Sequence, residues 1–129
     1  CVTEEDVERI EDHFSGRATW VLCPGSNRYI SRLSPPVEML RRKGVRIAVG
    51  TDSLASNTML DMVSELRALG AVPLEELLGW ATENGARALG MEHRLGGFEP
   101  GARSGAVLLS GLDWANMRLT EDSRTERLL

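Results

Sequence analysis

Two short segments carry the residue types that chemistry needs. The first reads V-R-I-A-V-G-T-D-S over residues 45–53 and sets Asp52 just past an apolar, β-rich run. In parallel α/β folds, ligands and catalysis gather at the carboxyl ends of the strands. A carboxylate there can ligate a metal or accept a proton from an activated water. Gly50 leaves room above the strand end, and Thr51 and Ser53 can hydrogen-bond the acid or the turn. Asp also closes turns through its own side chain, so on the pattern alone both readings of Asp52 stand. The second segment, Cys23-Pro24-Gly25-Ser26-Asn27, also follows a β-rich run and so falls on the same rim. Ser26 and Asn27 can reach a site as donors or tie the turn together. Cys23 reads as a small buried residue, because neither Cys nor His stands near it to make a ligand pair.

Other polar residues say less. His13 falls late on a helical segment and His93 in a polar stretch, so both read as surface residues. Asp61 and Glu65 lie four apart on a helical pattern, which a solvated face explains. Met59 and Met62 read as core filler. The sequence has no His-x-His pair. A catalytic zinc needs about three protein ligands, so one carboxylate leaves the metal site of this chain incomplete.

The elements that must position these residues follow from spacing. Thr3 and Asp6 form a capping-box pattern, Val7, Ile10 and Phe14 then recur at helical spacing, and Ser15-Gly16 ends the helix. Residues 18–23, A-T-W-V-L-C, read as a strand buried on both faces. The Pro24-Gly25-Ser26-Asn27 run is expected to stop it, with residues 28–34 irregular. Pro35 or Pro36 opens a helix that Gly44 ends after the basic turn Arg41-Arg42-Lys43. Residues 45–49 form the second strand. A helix from about Thr58 to Leu69 follows, with Ser56 or Asn57 as its cap. Pro73 opens the next helix, which is expected to break near Thr82 and resume to Leu89. Residues 106–109 read as a late strand, and the polar tail from Arg118 onward as only partly ordered. Alternating strands and helices imply right-handed crossovers and a parallel sheet. Two strands cannot form a covered sheet alone, so further chain or a second copy must complete it.

Composition narrows the classes. The chain has 129 residues, 42% hydrophobic, with a net charge of −4. That supports one packed domain but falls short of a whole (β/α)₈ barrel of about 250 residues. A mildly acidic chain lacks the clustered basic groups that nucleic acid requires. No run approaches the roughly 18 apolar residues of a membrane span. Cys1 and Cys23 make no disulfide framework, so a reducing, cytoplasmic setting is expected. The chain opens on Cys1 rather than Met, which suits a fragment or a processed chain.

Taken together, the motifs resemble the amidohydrolase superfamily, in its cytosine-deaminase-like and chlorohydrolase-like branch. The resemblance rests on residues 23–27, the helix after Pro35-Pro36, Gly50-Thr51-Asp52-Ser53 and Ala55-Ser56-Asn57. It extends through A-T-E-N-G-A-R-A-L-G at residues 81–90 and G-G-F-E-P-G at residues 96–101, so it covers nearly the whole chain. It implies an α/β fold: the carboxyl-terminal part of a distorted (β/α)₈ barrel over residues 1–92, and a remnant of a small β-sandwich over residues 93–129. It implies a metal-dependent hydrolase that cleaves a C–N or C–Cl bond, of a heterocycle, through metal-activated water. Asp52 would be both metal ligand and catalytic proton acceptor, and Ser26, Asn27 and Ser53 substrate-binding. The cofactor would be a divalent metal, zinc with iron as the alternative, completed by histidines outside this chain. The implied partners are a small-molecule substrate and the preceding part of the same protein, with a homo-oligomer as a further option. One departure is Gly101-Ala102-Arg103-Ser104-Gly105, where many relatives carry Gly-Lys-x-Ala-Asp.

The competing reading is a stand-alone, non-enzymatic α/β binding or assembly module, in which the same loops only close turns. A small nucleotide-binding domain lacks its Gly-x-Gly-x-x-Gly or Walker-type loop. For the enzyme reading, this chain alone is expected to show no turnover and no tight zinc binding. Calorimetric titration with Zn²⁺ checks this, and tight stoichiometric binding would contradict it.

Overall fold

The computed structural model describes residues 2–103 and 105–129. Cys1 and Ser104 lie outside the described residues, and with them the pairing of Cys1 and the centre of the 101–105 departure. Six helices and four strands are described: α1 Glu4–Phe14, β1 Thr19–Leu22, α2 Pro24–Ser31, α3 Val37–Arg42, β2 Arg46–Val49, α4 Met62–Ala68, α5 Leu74–Ala81, α6 Glu83–Ala88, β3 Val107–Asp113 and β4 Arg118–Arg127.

The first helix forms as its sequence dictates. The Thr3 hydroxyl accepts from the Asp6 amide at 3.2 Å, and the Asp6 carboxylate accepts from the Thr3 amide at 2.9 Å. Ser15 ends α1 in the left-handed region at φ 53°. The Trp20 indole donates to Glu11 at 2.6 Å and fastens α1 to β1. Glu4 and Glu8 pair with Arg42 and Lys43 across to the end of α3.

β1 and β2 pair in parallel, from Thr19 against Arg46 to Leu22 against Val49. Helices α4, α5 and α6 pack against β2. Val7 of α1, Leu22, Leu40, Ile47, Val49, Leu66 and Trp80 are part of one buried core. Arg41 clamps Glu76 with two bonds of 2.7 and 2.9 Å, tying α3 to α5. Asn84 of α6 donates to the Ile47 carbonyl at 2.7 Å and pins that helix to β2. Burial of β1 on both faces does not hold within this chain: Val21 is 56% exposed. The helices cover the face that carries Leu22 and Ile47, and the Val21 side of β1 stays open.

Three further local expectations change. The run from Pro24 does end β1, at Leu22, but residues 28–31 are not irregular: helix α2 runs from Pro24 to Ser31, because a proline at the first helical position gives up an amide that needs no helical partner. Met62, not Thr58, begins α4; Asp61 is its cap and accepts from the Ser64 amide at 2.8 Å. The polar tail is ordered as β4, antiparallel to β3. Main-chain pairing holds it, and a polar strand can do this without an apolar face. Gly111, at φ 70°, makes the bulge of this hairpin. The buried Ser123 bridges it by donating to the Gly111 carbonyl at 2.9 Å and accepting from the Thr120 amide at 2.8 Å. Arg67 of α4 holds the hairpin through the Glu121 carbonyl at 2.9 Å. The break between α5 and α6 falls at Thr82, as expected, where the backbone leaves helical geometry at φ −124° and ψ −83°; Gly85 itself lies within α6.

Two stability outcomes follow, each read by chemical denaturation. Leu40 is 1% exposed, so Leu40→Ala is expected to cost about 2–5 kcal/mol. Thr3→Ala removes the α1 cap and is expected to cost about 0.5–2 kcal/mol.

Candidate functional site

Because Leu22 pairs with Val49, β1 and β2 end side by side and release their loops next to each other. The Gly50 amide extends the pairing by one bond, to the Leu22 carbonyl at 2.9 Å. A Cβ at Gly50 would make ordinary contacts of 3.5 Å with Val21 and 3.6 Å with Cys23. The neighbours in this chain therefore do not require glycine there for space.

Three residues past the end of β2, Asp52 takes the left-handed backbone at φ 58°, a conformation Asp tolerates better than most residues. Its Oδ2 accepts from the Ser26 hydroxyl at 2.8 Å and from the Ser56 hydroxyl at 2.8 Å. The Ser56 bond, then the Ser26 bond, hold the carboxyl below the usual carboxylate range, with help from the Ser53 amide. The side chain is exposed. Asp52 therefore closes a turn, as one of its two readings allowed, and it is also held from outside that turn. Through Ser56 it closes its own turn, and through Ser26 it is tied to the neighbouring loop as an ionised, solvent-facing group.

The other singled-out residues divide. Ser26 is 5% exposed, in the first turn of α2, with its hydroxyl on Asp52. Asn27 is half-buried and tied in through its backbone: its amide donates to the Cys23 carbonyl at 2.9 Å, and its carbonyl accepts from Ser31 at 2.7 Å. Ser53 is exposed beside Asp52, its hydroxyl 3.4 Å from that of Ser56. The structure thus brings Ser26, Asp52, Ser53 and Ser56 onto one rim. Cys23 is a half-buried free thiol that burial pushes upward, so it stays protonated rather than nucleophilic. His13 and His93 are both exposed, as expected. Met62 packs against the core, whereas Met59 is 50% exposed.

The expectation that Glu65 lies on a solvated face is wrong: it is 2% exposed. Its Oε2 accepts from the Gly25 amide at 2.7 Å, and its Oε1 from the Asn57 side-chain amide at 2.6 Å. The same Asn57 nitrogen donates to the Thr51 carbonyl at 2.8 Å, and the Asn57 oxygen accepts from the Thr58 amide at 2.8 Å. A signal was present in the sequence. Residues 62, 65, 66 and 69 share one helical stripe, so the period that packs Met62 against the core and buries Leu66 and Leu69 also buries the acid.

Among the described residues no group of three His, Cys, Asp or Glu side chains is placed to hold a metal ion. Asp52 suits a metal as one oxygen ligand, being ionised, oriented and accessible. It is one ligand of the roughly three that a catalytic zinc takes from protein. Nor is any helix among the described residues long and apolar enough to cross a membrane.

Comparison with known proteins agrees with this arrangement. The sequence pattern described as "Amidohydrolase family" matches residues 1–125. A 5-methylthioadenosine/S-adenosylhomocysteine deaminase of Teredinibacter turnerae is 34% identical over 122 residues, covering 84% of this chain and 28% of that protein. The chain therefore spans little more than a quarter of that relative's length. The crystal structure of an adenosine deaminase from Xanthomonas campestris with bound zinc superposes with a TM-score of 0.63 at 34% identity, over 74% of this chain and 24% of that one. A Helicobacter pylori aminofutalosine deaminase in complex with methylthio-coformycin superposes with a TM-score of 0.61 at 33% identity, again over 74% of this chain and 24% of the other. Motif order, paired strand ends and these likenesses agree, and the chain belongs to the amidohydrolase family.

Proposed function

We propose that this chain is the carboxyl-terminal part of a metal-dependent deaminase that acts on the adenine-type ring of a nucleoside. In this reading β1 and β2 are late strands of a distorted (β/α)₈ barrel, residues 1–92 belong to that barrel, and residues 93–129 return to a small sandwich through the β3–β4 hairpin. The observation that carries the proposal is Asp52: an oriented, ionised carboxylate at paired strand ends, in a chain of this family. The relatives named above are all deaminases, which favours C–N over C–Cl cleavage. The zinc-bound neighbour favours zinc over iron. The free thiol of Cys23 suits a reducing, cytoplasmic setting.

When bound, the metal would make hydroxide available near neutral pH. Asp52 would supply one oxygen ligand and receive the proton of the attacking water. The hydroxyls of Ser26 and Ser56 stabilise its charged form, so it meets the water ionised and releases the proton readily. That proton passes to the departing amino group as the C–N bond breaks, and ammonia leaves. Ser26 acts here by orienting Asp52, while Ser53 and Asn27 lie on the rim where substrate enters.

In the complete protein, Asp52→Asn is expected to lower kcat by about 10²–10⁴-fold or more, with its circular dichroism unchanged. Ammonia release from adenine nucleosides, against chloride release from chlorinated heterocycles, decides the reaction. Full turnover by a metal-replete Asp52→Asn variant would overturn the role of Asp52. Chloride release without ammonia release would overturn the deaminase reading.

A further inference from the structure

We infer that Glu65 is a positioning residue for Asp52, acting from the interior through two arms. The inference rests on the proposed role of Asp52 and adds the group that holds it in place. The first arm runs from the Glu65 Oε2 to the Gly25 amide at 2.7 Å. Gly25 precedes Ser26, whose hydroxyl reaches Asp52 at 2.8 Å. The second arm runs from the Glu65 Oε1 to Asn57 at 2.6 Å, and from Asn57 to the Thr51 carbonyl at 2.8 Å. Thr51 precedes Asp52, whose backbone is left-handed at φ 58°. One carboxylate thus sets both the donor that orients the Asp52 side chain and the peptide that starts its turn.

The packing around Glu65 permits little slack. A Cβ at Gly25, in the first turn of α2, would overlap the Glu65 carboxylate and stand 2.6 Å from the Asn57 amide nitrogen, far inside contact distance, so any side chain there would force Glu65 and Asn57 to shift. A buried carboxylate is costly unless its oxygens are satisfied, and here each takes one donor. The donor set is specific. A glutamine at this position can accept from Gly25 or from Asn57, and must turn its own amide toward the other donor. A leucine satisfies neither and leaves two buried N–H groups without an acceptor.

The test uses the complete, metal-loaded protein. Turnover is expressed per bound metal and per folded molecule, which removes any effect that is only a loss of stability. Glu65→Gln is expected to lower kcat more than it changes KM, and Glu65→Leu to lower kcat further. Combined with Ser26→Ala, the loss from Glu65→Gln should fall short of the product of the single losses by about 3-fold or more, the signature of residues acting through one path. Crystal structures of the variants give a second readout that needs no activity. The 2.8 Å separation of the Ser26 hydroxyl from Asp52 is expected to open beyond hydrogen-bonding range in Glu65→Leu, or in Glu65→Gln should the leucine variant not fold. A separation that stays closed in the variant, or strictly multiplicative losses, would overturn the inference. A wild-type protein without deaminase activity would overturn the proposed function alone, since the crystallographic separation still decides whether Glu65 positions Asp52.

Discussion

A carboxylate taken out of water must find donors inside the protein, and in this chain one such group organises the rim. Glu65 is 2% exposed and takes one donor on each oxygen. Its donors come from the two segments that leave the parallel strands, the first turn of α2 and the loop after β2. The loops could otherwise diverge, because nothing in strand pairing extends more than a residue past Val49. The buried acid closes them over α4, and the Asp61 cap fixes where α4 begins.

The same geometry explains how an exposed aspartate can be an ordered one. Asp52 lies in solvent, where a side chain ordinarily samples several rotamers. Here two hydroxyls converge on one of its oxygens, one from its own turn and one from the first turn of α2. Both donors favour the charged form, so order and ionisation arise from the same bonds.

Burial is uneven in a way that fits a piece of a larger sheet. The helices cover β2, whose Ile47, Ala48 and Val49 are all buried, but Val21 of β1 is more than half exposed. The β3–β4 hairpin, by contrast, pairs its two strands in an antiparallel ladder with a bulge at Gly111 and is held to α4 by Arg67. The long exposed strand β4 is tolerable because its outer residues are largely charged or polar, which discourages edge pairing.

Much of the architecture was legible because it is local. The cap at Thr3, the stop at Ser15-Gly16, the alternation of strand and helix, the break at Thr82 and the place of Asp52 past a strand all depend on spacings of a few residues. The stop of β1 before Pro24 was legible too, but the helix that follows was not, because a proline that ends a strand also suits a helix start and only the following turns decide. The tail failed because its order comes from pairing with β3 rather than from its own side chains. The helical stripe could have flagged Glu65, yet no local rule names the partners of a buried acid. Those partners are far away in the chain: Gly25 lies 40 residues from Glu65, and Ser26 lies 26 from Asp52. The sequence by itself determined the alternation of parallel strands and helices that local spacing marks, and which acid follows the second strand. Only tertiary structure decided what holds that acid, because such bonds exist only once parallel pairing has set two distant loops side by side.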